Sequence, residues 1–143
     1  MKKFVLFSFV LVAIRIENRG DSCTLYWKVT DGRGGYVPGE LILSEQKTLD
    51  AKTWLEFKVQ LDKAGFWDLP TKEVRIKKTI VDRNGETLEV DERPVDGAQW
   101  ILEGLAGGKY HFVDRWSHGN EIRGCCDFLL DQTGLDIPPK EKY

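Results

Sequence analysis

Three short turns, each set between segments in which apolar and polar residues alternate, constrain this chain more than any other feature. Gly20-Asp21, Asn84-Gly85 and Gly107-Gly108 have the residue types that close β-hairpins. Residues two apart along a strand lie on the same face of a sheet, so the alternation also predicts which side chains share a face. The sequence therefore predicts antiparallel β structure over much of its length.

The first turn predicts a hairpin whose register can be counted outward from Gly20. If Arg19 lies opposite Ser22, then Ile14 lies opposite Trp27, and the same face stays apolar along both strands. The pattern predicts that this face packs against the core.

Residues 1–11 have two interpretations. Lys2 and Lys3 precede an apolar run that ends near a small residue, Ala13, a pattern typical of a secretory signal. A run of about 11 apolar residues is shorter than the roughly 20 needed to cross a bilayer, so we expect no membrane span. Because Val12 continues the apolar face of the hairpin, the segment also fits a retained first strand. Export and a cytoplasmic location both remain open.

Residues 50–64 show helical periodicity. Asp50 is a suitable N-cap, and Gly65 a suitable C-terminal stop. The apolar residues recur at helical spacing and are Trp54, Leu55, Phe57, Val59 and Leu61. The pattern predicts a first helix with Trp54, Phe57 and Leu61 along its apolar stripe.

A second helix is predicted after residue 120. Asn120 is the expected N-cap and Gly134 the expected stop. The apolar residues expected near one face are Ile122, Cys125, Cys126, Leu129 and Leu130.

Residues 72–93 are predicted to form a charged hairpin arm. The wider stretch 71–95 has 12 charged residues in 25 positions around Asn84-Gly85, which favours a two-residue type I′ turn. Counting outward from that turn pairs Arg83 with Glu86, Val81 with Leu88, Thr79 with Val90, Lys78 with Asp91 and Lys77 with Glu92. We expect a mostly solvated arm.

Residues 98–116 are predicted to form the most apolar strand pair, with Leu105 opposite Tyr110. Apolar residues occur on both of its faces, which favours a central position in the sheet. With a short strand at 41–44, these elements predict a single α+β domain over residues 12–143. Its antiparallel sheet has about five to seven strands, in the order β-β-β-α-β-β-β-β-α, and two helices pack on one face.

Composition excludes some classes of function. The 21 basic and 23 acidic residues leave a net charge of −2, so we expect no nucleic-acid partner. The three cysteines are odd in number and Cys125 adjoins Cys126, so no disulfide framework is expected, while the redox state of Cys23, Cys125 and Cys126 stays open. The cysteine and histidine spacings match no zinc motif, and we expect neither a metal nor a cofactor.

Three unusual segments follow one another along the chain: DGAQW-I-LE, YHFVDRW and the adjacent cysteines near the carboxyl end. In this pattern the chain resembles a family of small uncharacterised bacterial proteins, over most of residues 12–143. The resemblance implies a bacterial source, and it implies no activity.

The candidate binding residues lie on the strand pair 98–116 and are Glu103, Tyr110, Asp114, Arg115 and Trp116. An exposed Trp beside an Arg can stack and present a guanidinium to a carboxylate or to a partner chain. In the structural alternative, Trp116 closes the core under a loop, and Arg115 packs against Trp100 and pairs with a structural Asp. The sequence favours a non-catalytic interaction or ligand-binding module with an unknown protein or small-molecule partner.

Two further functions remain open. A small enzyme would use His111, or a reactive Cys125 or Cys126, as its base or nucleophile; His118 beside Ser117 is a weaker pairing without an orienting acid. The third is a structural role in a larger cell-surface assembly.

Overall fold

The computed structural model describes residues 1–7, 12–31, 39–73, 77–91, 99–116 and 120–137. The strands are β1 (Lys2–Phe7), β2 (Val12–Asn18), β3 (Cys23–Thr30), β4 (Leu41–Leu49), β5 (Lys77–Val81), β6 (Thr87–Asp91), β7 (Gln99–Ala106) and β8 (Lys109–Trp116). The helices are α1 (Ala51–Ala64), a 3₁₀ turn (Phe66–Asp68) and α2 (Arg123–Thr133). Six strands form an antiparallel sheet in the order β4-β3-β2-β1-β7-β8, and β5 pairs with β6 alone. The predicted α+β class is confirmed.

Strand β1 lies inside the six-stranded sheet. It pairs antiparallel with β2 on one side and with β7 on the other. The described residues therefore include one strand more than the predicted order, and this strand joins the first hairpin to the β7–β8 hairpin.

The β2–β3 and β7–β8 hairpins, which turn at Gly20-Asp21 and Gly107-Gly108, have the predicted registers. Ile14 lies opposite Trp27, and Leu105 opposite Tyr110. Gly107 and Gly108 have φ angles of 57° and 77°, as a type I′ turn requires at both central positions. In these two hairpins the observed registers are those that the turn residues predict.

Helix α1 begins and ends where the sequence predicts. The Asp50 carboxylate accepts a hydrogen bond from the Thr53 amide at 2.7 Å, and the Gly65 amide donates to the carbonyl of Asp62. Trp54, Phe57 and Leu61 are buried as expected, whereas the flanking Leu55 and Val59 are exposed. A single helix on a sheet buries one stripe, so these flanking side chains lie outside the contact.

Helix α2 begins later than predicted. Asn120 does not cap it with a side-chain bond; its backbone carbonyl instead accepts from the Arg123 amide, and Ile122 precedes the first helical residue. Ile122 is fully buried, so tertiary packing rather than capping chemistry positions this start. The predicted apolar face is buried, and Gly134 follows the last helical residue.

The predicted register of the charged arm is wrong by one residue. Ile80 lies opposite Leu88, because Asp82 and Glu86 close a three-residue loop rather than a two-residue turn. The Asp82 carboxylate accepts hydrogen bonds from the amides of Asn84 and Glu86, and this local bonding stabilises the wider loop. The predicted pairing of Lys77 with Glu92 involves a residue outside the described part of the chain.

Two predictions about the sheet edges need correction. Strand β4 continues to Leu49 rather than ending at residue 44, and it forms one edge. Strand β8 forms the other edge, so the β7–β8 hairpin is not central. The apolar residues on its second face are incompletely covered rather than buried by a second layer.

The hydrophobic core lies between one face of the six-stranded sheet and the two helices. It joins alternate residues of β2, β3, β7 and β8 to the buried stripes of α1 and α2. The opposite side of the sheet, which neither helix covers, is called the open face below. In the part of the chain that the structure describes, no helix combines the length and apolar character needed to span a membrane.

Candidate binding surface

The candidate surface is the part of the open face formed by β7 and β8. Its residues share one side of the hairpin by their register: Gln99, Ile101, Glu103, Leu105, Tyr110, Phe112, Asp114 and Trp116. We call this set the β7–β8 patch. Tyr110 and Trp116 are 57% and 37% exposed, and the other six are half-buried. Two exposed aromatic side chains beside partly exposed apolar ones on one sheet face are typical of an interaction surface.

The charge of the patch is acidic. Its ionisable carboxylates are Glu103 and Asp114, and none of its residues is Lys or Arg. The side-chain Nε2 of Gln99 donates to both Asp114 carboxylate oxygens, at 3.0 and 3.1 Å. Partial desolvation, followed by the charge of Glu103 and a hydrogen bond with it, raises the pKa of Tyr110 above its ordinary value. The patch therefore presents carboxylates among aromatic rings.

Four of the five predicted site residues lie on the patch, and Arg115 does not. Arg115 points to the core face, opposite Trp100, and is 1% exposed. It therefore cannot present its guanidinium beside Trp116, because neighbouring residues of a strand point to opposite faces. The structural alternative for Arg115 describes its position better, except that the carboxylate it pairs with belongs to Glu121 rather than to an Asp.

Arg115 uses four of its five N–H donors inside the chain. Its Nε donates to Glu121 at 2.9 Å, its Nη1 to the carbonyls of Thr71 and Asp114 at 3.2 and 2.8 Å, and its Nη2 to the carbonyl of Pro70 at 2.9 Å. The hydrogen bond from Arg115 lowers the pKa of Glu121. This guanidinium holds the segment at 70–71 against β8.

Comparison of the chain with protein-family models, with curated proteins and with solved structures returned no match. The resemblance to small bacterial proteins stays a prediction.

A basic region lies beside the patch on the open face. Glu17 is 4% exposed there and accepts contacts from Lys3, Arg15 and Arg19 at 3.2, 3.5 and 3.1 Å. Burial raises its pKa, but hydrogen bonds from Arg19 and Lys3 outweigh this effect and the net shift is downward. This cluster was not predicted from the sequence, although the alternation of β2 places Arg15 and Glu17 on the face away from the core.

His111 is engaged in packing. Its Nε2 lies 3.0 Å from the carbonyl oxygen of Leu69, which can only accept, so this nitrogen carries the proton. The ring contacts Phe66 edge-on, with centroids 5.2 Å apart. Asp114 lies on the opposite face, so it does not orient the ring. His118 and Ser117 lie outside the described residues.

The three cysteines are buried and free. Burial raises the pKa of Cys125 to about 12 and the pKa of Cys126 well above its ordinary value. Burial, and then the charge of Asp50, raises that of Cys23. Since the thiolate is the reactive form, none of these thiols is activated.

We expect the native protein to resist thiol-specific reagents at neutral pH. Ellman's reagent at pH 7 should modify none of Cys23, Cys125 and Cys126 before unfolding, and all three in concentrated urea. Rapid modification of Cys125 or Cys126 in the native state would instead support the reactive-cysteine hypothesis.

One concave site in the described part of the chain lies beside helix α1 and is small. A cavity of about 50 Å³ lies on the helix side, near Trp54, Leu61 and Trp67. Ligand pockets usually enclose about 300 to 1,000 Å³, so this cavity does not fit a small organic molecule. No group of three metal-ligating side chains occurs among the described residues.

Proposed function

We propose that this chain is a non-catalytic interaction module that binds a protein or peptide partner through the β7–β8 patch. The observation that supports this most directly is a sheet covered by helices on one face, with Tyr110 and Trp116 exposed on the other. Exposed aromatic residues bury a large area when a partner binds and lose little conformational entropy.

The shape of the patch favours a macromolecular partner over a small molecule. The patch is one side of a two-stranded segment, and a sheet surface offers area rather than depth. Protein interfaces bury about 800 Å² on each partner and need no deep pocket.

The charge of the patch indicates the chemistry of the partner. With Arg115 buried, the charged groups of the patch are the half-buried carboxylates of Glu103 and Asp114, so the preferred partner carries Lys or Arg beside apolar side chains. The sequence alone suggested that Arg115 presents its guanidinium to a carboxylate or to a partner chain, and its burial removes that contact from the proposal.

Selection of displayed random peptides on the wild-type protein tests the proposal. We expect enriched peptides to combine apolar residues with Lys or Arg, and we expect Tyr110→Ser and Trp116→Ser each to weaken their binding about tenfold or more. Glu103→Gln should weaken binding and reduce its dependence on salt.

Leu55→Ser is the matched control, because Leu55 is 58% exposed, as Tyr110 is, but lies on α1. It should leave peptide affinity unchanged. Peptides that bind the Tyr110 and Trp116 variants as tightly as the wild type would refute the assignment to this surface.

The alternative of a small enzyme has less support. The His111 ring nitrogen is bonded to a backbone carbonyl, and the pKa values of Cys125 and Cys126 are raised rather than lowered. Neither arrangement is that of an activated base or nucleophile.

A further inference from the structure

The outer edge of β4 carries the backbone groups of a nine-residue strand with one neighbour. The Arg19 amide bonds to the Ser22 carbonyl, and this bond fixes which residues of β3 face β2 and which face β4. By this alternation Leu43, Glu45, Lys47 and Leu49 bond to β3. The N–H and C=O groups of Ser44, Gln46 and Thr48 then point away from the sheet.

The other sheet edge is partly occupied. The Asp114 amide donates to the Thr71 carbonyl at 2.7 Å, and the Trp116 amide donates to the Glu73 carboxylate at 3.2 Å. Within the described residues, no comparable segment pairs with β4, and Ser44 to Thr48 are all exposed.

We propose that β4 pairs antiparallel with β4 of a second copy of this chain, with the two-fold axis at Gln46. This register places Gln46 opposite its own copy and Ser44 opposite Thr48 of the second copy. The three resulting pairs each exchange two backbone hydrogen bonds, and they use the groups that β3 leaves free. The two sheets join into one, with both open faces on the same side.

Side-chain charge selects this register. With the axis at Gln46, Glu45 lies opposite Lys47 of the second copy on both sides of the axis. Moving the axis to Glu45 or to Lys47 places like charges directly opposite each other, which is unfavourable. Leu43 also lies opposite Leu49 in the proposed register, so apolar residues meet at both ends.

The outer edge of β4 is therefore complementary to a second copy of itself when the axis lies at Gln46. Like charges disfavour the registers with the axis at Glu45 or at Lys47. Charged residues on edge strands usually prevent association. Here Glu45 and Lys47 flank a central neutral residue, so a two-fold axis converts the same charges into two favourable pairs.

Analytical ultracentrifugation of the full chain over a range of concentrations up to submillimolar tests the proposal. We expect the wild type to show a reversible monomer–dimer equilibrium. Gln46→Pro should abolish the dimer, because proline removes an outward N–H that the fold does not use, and edge strands tolerate proline. Circular dichroism checks that the variant stays folded.

Variants that change the charges of Glu45 and Lys47 test the proposed register more specifically. E45K and K47E should each weaken self-association about tenfold or more, since each places like charges opposite each other in both pairs. An equimolar mixture of the two should form a heterodimer, and the E45K/K47E double variant should regain the homodimer. Glu56→Lys on α1 makes the same charge change away from the edge and should have no effect.

A wild-type chain that stays monomeric throughout the concentration range would overturn the proposal. So would a dimer that is unaffected by Gln46→Pro, or one whose affinity responds to net charge rather than to pairing. Strand β4 and the β7–β8 patch lie at opposite ends of the sheet. A failure of the dimer proposal would therefore not count against peptide binding at the patch, and the reverse also holds.

Discussion

Arg115→Met is expected to lower the free energy of unfolding by about 3 kcal/mol, because several charge-assisted hydrogen bonds are lost while the side-chain volume is roughly kept. The Pro70 carbonyl loses the donor that Arg115 supplies, and the Thr71 carbonyl keeps only the Asp114 amide. Glu121 is half-exposed and regains water. Equilibrium unfolding in urea measures the change.

Arg123→Met is the matched control for this prediction. Arg123 lies over the Trp100 ring at 4.5 Å and pairs with Asp127, and both partners of that pair are partly exposed. Its replacement should cost about 1 kcal/mol or less.

Hydrogen exchange separates the proposed role of Arg115 from a general loss of packing. If Arg115 holds the segment 70–71 on β8, the Asp114 amide should exchange faster in Arg115→Met than the amides of β2 and β3. Equal costs for the two arginine variants, or uniform acceleration of exchange, would contradict this role.

Phe57→Ala is expected to destabilise the protein by about 3 to 5 kcal/mol, as truncation of a fully buried aromatic residue does. Phe57 has no exposed surface, and its ring lies 6.0 Å from that of Trp54 and 6.0 Å from that of Phe128. It therefore joins α1 to α2, and its loss leaves a cavity between the helices.

Leu55→Ala, two positions away on the same helix, should cost only about 0.5 kcal/mol because its side chain is 58% exposed. Urea unfolding of both variants checks the orientation of the helix. Similar costs at the two positions would mean that α1 does not pack through the stripe of Trp54, Phe57 and Leu61.

Elements with strong local chemistry were predictable from the sequence. The Asp50 cap and Gly65 stop define α1, and the glycine turns define the registers of two hairpins. The charged arm shows where such reasoning fails: the Asn84-Gly85 pair suggested a two-residue turn, but the Asp82 side chain stabilises a longer loop. Two local hydrogen bonds to one side chain accompany a register that differs by one residue from the predicted one.

The candidate site was predictable in part. Alternation correctly groups Glu103, Tyr110, Asp114 and Trp116 on one face, and the same rule places Arg115 on the other. The sequence does not show which face the helices cover, nor that the segment 70–71 supplies carbonyls to Arg115. The β7–β8 patch is acidic because Arg115 lies on the face that the helices cover.

By itself the sequence determined the class of the fold, the limits of α1 and the face to which most β-strand residues belong, because these follow from periodicity and turn chemistry within a few residues. The order of strands, the interior position of β1 and the two edges came only from the tertiary structure. Those features arise from contacts between residues far apart in the chain, such as Lys3 with Leu105, and no local pattern encodes which of many sheet edges will meet.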